Sequence, residues 1–144
     1  MAEIGMEGLE EIQQAFINME EAAVRAVPRM LEAGAEVLAE AQREEAKAMG
    51  LNDTGGFIKS IKATPVKGSS TEKYVDVYPH GRAKHGNDRK GDKGNVRYAT
   101  IGYANEYGTS KKAPRPYMTA ANEKARGKVV EAELEVWERE TGRQ

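Results

Sequence analysis

The chain of 144 residues contains no cysteine, which excludes disulfides and thiolate metal ligands and fits a protein made in a reducing compartment. Aromatic residues make up only 6% of it, with a single tryptophan. Charge of one sign is also lacking: 22 Lys and Arg stand against 23 Asp and Glu, a formal net charge of -1. A polycation is thereby excluded, and contact with nucleic acid would have to come from a local patch. No stretch approaches the roughly 20 consecutive apolar residues of a membrane span. The start, MAEIGMEGLEE, is acidic where a secretory leader would be basic, so export by that route is not expected. Repeats at solenoid periods are not apparent.

The length predicts one domain spanning residues 1–144. A domain of that size buries roughly 70% of its unfolded-chain surface and needs no staples. Met6, Leu9, Ile12, Phe16 and Met19 recur at steps of three and four, with Glu7, Glu10, Glu11, Gln13 and Gln14 between them, the pattern of an amphipathic helix. Val24, Val27, Leu31, Gly34, Val37, Leu38 and Ala41 continue it. Pro28 lacks the donor its turn needs, so the expectation is a break near Ala22 to Pro28 and a long second helix to about Ala48. Both apolar stripes are read as packing faces. The small residues Ala33, Gly34, Ala35 and Ala41 admit a close neighbour, either the sheet of the same subunit or another subunit.

Gly50 and the run Asn52-Asp53-Thr54-Gly55-Gly56 supply turn chemistry. The paired glycines are not a phosphate loop, which needs a preceding strand and a correctly spaced Lys. Rough alternation from Phe57 to Val66, and cleaner alternation from Lys73 to Tyr78, predicts two antiparallel strands joined by a hairpin loop at Lys67 to Thr71. A third strand is expected from about Val96 to Gly102. Between the second and third strands lies Pro79 to Asn95, with four glycines, both histidines and no large apolar side chain, read as a long mobile loop. After Gly108 the prolines Pro114 and Pro116 fix an extended connector. Pro116 then opens a final helix carrying Met118, Ala121, Ala125, Val129 or Val130, Leu134 and Trp137 on one face. Gly127 weakens that helix and marks a bend or a close contact. The fold class expected is α+β: N-terminal helices, a small antiparallel sheet of three to four strands with a long inter-strand loop, and a C-terminal helix.

Catalytic chemistry finds little footing. His80, His85, Asp88 and Asp92 are metal-ligand types, but they share one glycine-rich loop without the rigid support a site needs, so a solvated loop is the favoured reading. Glu106, between Tyr103 and Tyr107, is the one carboxylate in a distinctive setting. It is read as a hydrogen-bond acceptor fixing the turn at Gly108-Thr109, or as an ion-pair partner at an interface. No catalytic residue, cofactor or metal site is assigned. Arg82, Lys84, Arg89, Lys90 and Lys93 could neutralise phosphates without sequence preference or meet a neighbouring protein. The loop carries no aromatic residue for base stacking. Lys111, Lys112 and Arg115 form a second basic cluster beside two prolines, a docking strap in which Arg115 is the candidate anchor.

The most organised stretch is Tyr98 to Ala121, YATIGYANEYGTSKKAPRPYMTAA. Its pattern YAxxxEYGT, a short basic linker, then PxRPYMxxA resembles the signature of small structural proteins of long-tailed bacteriophages. These are the neck, head-to-tail joining, tail-completion or minor tail proteins typified by the tenth gene product of Hong Kong 97-type phages. The block Thr54-Gly55-Gly56-Phe57-Ile58-Lys59-Ser60-Ile61 resembles a second family feature, with two glycines before Phe57 where the family usually has one before a leucine. The resemblance implies a non-enzymatic virion or prophage protein, assembled in the bacterial cytoplasm in several copies around the particle axis. Its implied partners are other copies of itself and neighbouring neck or tail proteins, with nonspecific contact with packaged DNA as a further option. No membrane and no small-molecule substrate are implied. The alternative, from another class, is a nucleic-acid-binding accessory protein acting through residues 79–95.

Overall fold

A computed structural model describes residues 2–51, 56–83 and 96–142, with side chains from residue 8 onward in the first helix. Its order is α1 (Ala2–Ala48), α2 (Gly56–Ser60), β1 (Ile61–Ala63), β2 (Lys67–Gly68), β3 (Lys73–Tyr74), β4 (Val77–Pro79), α3 (Tyr98–Tyr107) and α4 (Tyr117–Thr141). The class is α+β, as the sequence predicts.

α1 is a single helix of 47 residues, on the order of 70 Å long, where the sequence suggested a break. Pro28 lies inside it. The carbonyl that loses its partner belongs to Val24, an exposed residue, so solvent can serve it and the helix runs through. The expected stop does appear. Gly50 takes φ of 77°, and the Leu51 N–H donates to the Ala46 carbonyl at 2.9 Å, the hydrogen bond of a glycine-terminated helix end.

α4 packs along the second half of α1. Arg29 pairs with Glu140 and Glu45 pairs with Lys124, so the two helices run antiparallel. Their contact is built from small side chains: Ala22, Ala26, Ala35, Ala39 and Ala46 on α1 face Ala121, Ala125 and Val136 on α4, all buried. Small residues let the backbones approach, and at Gly34 an added Cβ would stand 2.6 Å from Glu133 Oε1. Gln42, buried in this seam, donates to Asn122 Oδ1 at 3.2 Å. The face expected of α4 is corrected in part: Val130 and Leu134 are half-exposed while Tyr117 and Val136 are buried. Gly127 marks no close contact, since a Cβ there would meet nothing within 4 Å.

The strands form two short antiparallel pairs along one hairpin. Ile61 to Ala63 lies opposite Val77 to Pro79, and Lys67 and Gly68 lie opposite Tyr74 and Lys73. The predicted hairpin is therefore present. Its first arm opens as the short helix α2, not as strand from Phe57. Arg43 Nε ties α1 to the hairpin by donating to the Ile61 carbonyl at 3.0 Å.

The third predicted strand is overturned: residues 98–107 are helix α3, and only Arg97 before it is strand-like, bridging Arg82. Around the junction of α1, α2, α3 and α4 sits the hydrophobic core of Ala46, Leu51, Phe57, Ile61 and Tyr117, with Val77, Tyr98, Ile101 and Met118 packed against it. The Phe57 ring meets Tyr117 edge-on with centroids 5.6 Å apart, a favoured aromatic geometry.

Candidate interaction site

The signature stretch folds into one joint. α3 delivers Glu106, Gly108 ends the helix with φ of 78°, and residues 109–116 fold back so that α4 can start beside α3. The turn is held by the Thr109 N–H, which donates to the Lys112 carbonyl at 2.9 Å, and by the Lys111 and Lys112 N–H groups, which donate to Thr109 Oγ1. The Arg115 N–H then donates to the Asn105 carbonyl at 2.6 Å, closing the loop back onto α3.

Glu106 is the keystone of this joint. It is 6% exposed, and its two oxygens accept from the first turn of α4: the Met118 N–H at 2.8 Å, the Thr119 N–H at 3.0 Å and Thr119 Oγ1 at 2.5 Å. A helix start leaves N–H groups without intrahelical partners, and Pro116 at the N-cap position has no side-chain acceptor to offer. A carboxylate supplied from α3 does that work, and the helix dipole favours negative charge there. The expected role of Glu106 as a structural acceptor stands. Its target is corrected from the Gly108-Thr109 turn to the start of α4.

Tyr117 completes the joint from below. Its ring is fully buried, and its hydroxyl finds no hydrogen-bond partner among the described residues. Burial pushes its ionisation well above the usual tyrosine range, and the charge of Glu106 adds to the effect. Gly102 is packed so closely that an added Cβ would stand 2.8 Å from Tyr117 Oη and 3.0 Å from Pro79 Cγ.

The outer face of the joint is exposed. Tyr103 and Tyr107 lie side by side, ring centroids 4.8 Å apart, at 68% and 67% exposure. Lys111, Lys112 and Arg115 follow them on the connector, all exposed. Arg115 is anchored as well, since its Nη1 donates to the Met49 carbonyl at 3.2 Å, a free acceptor at the end of α1. The structure thus brings Glu106, Lys111, Lys112 and Arg115 together. Arg82 is exposed at the other end of α3, about 15 Å away along that helix. There the Ala83 N–H donates to the Val96 carbonyl and the Tyr98 N–H to the Gly81 carbonyl, joining the two ends of the intervening segment. Lys84, Arg89, Lys90 and Lys93 lie outside the described residues, as do His85, Asp88 and Asp92. His80 is used structurally: it stacks on Tyr78 at 3.9 Å, and its Nε2 lies 3.0 Å from the Lys62 carbonyl oxygen.

Among the described residues no group of three His, Cys, Asp or Glu side chains is placed to hold a metal ion. None of the helices searched is long and apolar enough to cross a membrane. A groove of about 480 Å³ opens beside the α1–α4 seam, floored by Val37, Ala41 and Ala121 and edged by Glu40, Glu44 and Lys128.

One surface escaped sequence reasoning. Every residue from Leu9 to Glu21 is exposed, because α4 ends near Arg29 and α1 continues past it. Phe16 is 66% and Met19 60% exposed, where the sequence expected a packed face. The apolar period announces a stripe that needs covering, but only the relative lengths of the two helices show that the chain itself does not cover it.

Comparison with protein-family models, with curated proteins and with solved structures finds no match.

Proposed function

We propose that the chain is a structural component of the neck or tail of a long-tailed bacteriophage or prophage, acting in several copies to complete the tail and join it to the head. It works by fitting against copies of itself and neighbouring virion proteins, and it transforms no substrate. The observation that carries this reading is the use to which the signature residues are put. Glu106, Gly108, Pro116, Tyr117 and Ala121 are spent on a rigid helix-to-helix joint. Their neighbours in the same stretch, Tyr103, Tyr107, Lys111 and Lys112, stand outside it. Exposed tyrosines on a rigid support, with the exposed Arg115 on the same connector, are residue types enriched at protein-binding surfaces. The unaccompanied half of α1 adds a second surface whose apolar side chains need a partner.

The test is made on particles. Peptides of this chain should be found by mass spectrometry in purified virions. Deleting its gene should leave full heads and separate tails that a plasmid copy rejoins. Normal infectious particles from the deletion strain, lacking the chain, would refute the reading.

A further inference from the structure

The free half of α1 is patterned for a partner of its own kind. Leu9, Ile12, Phe16 and Met19 follow one another at steps of three, four and three, the seam of a two-stranded coiled coil. All four are more than half exposed. The stripe runs on by helical steps from Met19 to Ala22 and Ala26, a second step of three turning it by one position, and both alanines are buried where α4 begins to cover α1. It is therefore the continuation of an existing helix-helix contact beyond the end of its partner. The charges are placed to leave it clear: Glu10, Glu11 and Glu21 fall on the side away from the seam, and the flanking positions carry Gln13, Ala15 and Glu20.

We propose that this arm pairs with the same arm of a second copy, antiparallel, about a two-fold axis that crosses the seam at the level of Gln14, a position on the outer side of the helix. In that register Leu9 meets Met19 of the second copy and Ile12 meets Phe16, so each apolar side chain finds another and the arrangement is its own complement. Glu20 then falls opposite Gly8, Glu10 opposite Asn18 and Glu11 opposite Ile17; the one acidic match, position 21 with position 7, falls at the heptad position farthest from the seam. Ala15 lies near the axis, where a small side chain lets the helices approach. A parallel pair would instead bring both α4 ends to one point on the seam. The antiparallel pair sets the two bodies at opposite ends, with the overhang as the spacer. An interface of about two heptads lies at the small end of specific contacts, so the dimer is concentration-dependent.

In taking a second copy as the partner, this inference rests on the multicopy reading above, but its test needs only purified protein. Sedimentation velocity of the full chain over a concentration series should show a monomer giving way to a dimer. The double substitution I12E/F16E should abolish the dimer. At a concentration where the parent is monomeric, its far-UV circular dichroism and urea midpoint should match those of the parent, because both side chains are exposed in the single chain. As the chain has no cysteine, L9C and M19C proteins can be mixed and oxidised. The mixed 9–19 disulfide should dominate over either homodisulfide. A monomer at every concentration, a dimer that survives I12E/F16E, or a predominance of 9–9 and 19–19 links would each overturn the proposal. None of these outcomes bears on whether virions contain the chain, which the particle experiment decides separately.

Discussion

Glu106 and Thr119, thirteen residues apart, are joined twice: one carboxylate oxygen accepts both the backbone N–H and the hydroxyl of Thr119. The second oxygen takes the Met118 N–H. Because the acceptor comes from another helix, the cap is also the tie that fixes the angle between α3 and α4. Replacing Glu106 with Ala removes three hydrogen bonds at a buried site. It should cost about 2–3 kcal/mol, a cap plus the penalty for stranded donors. E106Q keeps one acceptor oxygen and turns an NH2 toward the other donor, so it should fall between. Urea denaturation of the three proteins, read as midpoints at constant slope, gives the order; an E106A midpoint equal to that of the parent would remove Glu106 from this role.

The close approach of Gly102 to Tyr117 makes a second prediction. G102A should be destabilising by about 1–3 kcal/mol, since the new methyl meets the phenol oxygen and the Pro79 ring in a packed interior. Y117F should be neutral or slightly stabilising, because it deletes a buried hydroxyl without a hydrogen-bond partner among the described residues. The double variant should recover part of the G102A loss, and Pro79 should keep the rest. Additive effects in that cycle would show that the hydroxyl is not what crowds the glycine.

Gly102 and Glu106 explain which parts of the fold could be read from sequence. Residues 96–102 read as a strand because Val96, Tyr98, Thr100 and Ile101 are strand formers. The helix is amphipathic only if its inward residues are counted as they lie: Gly102 and Glu106, one turn apart, are the buried ones. A glycine that admits a phenol and a carboxylate that caps another helix are invisible to a hydrophobicity rule. The long helices, the glycine stop after Ala48, the hairpin and the proline start of α4 were legible, because each depends on local chemistry. What was not legible depended on length: α4 is 25 residues and α1 is 47, and the difference leaves Leu9 to Met19 bare.

Alkaline pH should weaken the fold through Tyr117. Its folded-state ionisation lies above the unfolded value, so above about pH 10 the unfolded chain gives up a proton that the folded chain retains. Stability present below that pH is lost as the pH rises. Other groups titrate in the same range, so the readout is the difference between parent and Y117F. The parent's urea midpoint should fall more steeply than the variant's as the pH passes about 10. Parallel curves would mean that the phenol is free to ionise in the folded chain.

Gly127 offers a gain. It lies inside α4, away from both ends, exposed, with nothing within 4 Å of an added Cβ. Its φ is not among the positive values of the chain, so an alanine fits the backbone as it stands. The helix seam passes elsewhere, through Ala121, Ala125 and Val136, so the substitution touches no contact with α1. G127A therefore acts on the unfolded chain and on helix propensity alone. It should stabilise by about 1 kcal/mol and raise the melting temperature by about 2–4 °C. Thermal unfolding followed by circular dichroism measures this, and the same substitution should leave the concentration dependence of sedimentation unchanged, because Gly127 lies far along α4 from the arm. A loss of stability would show that the glycine is needed for a bend or a close approach that the packing of α4 does not display.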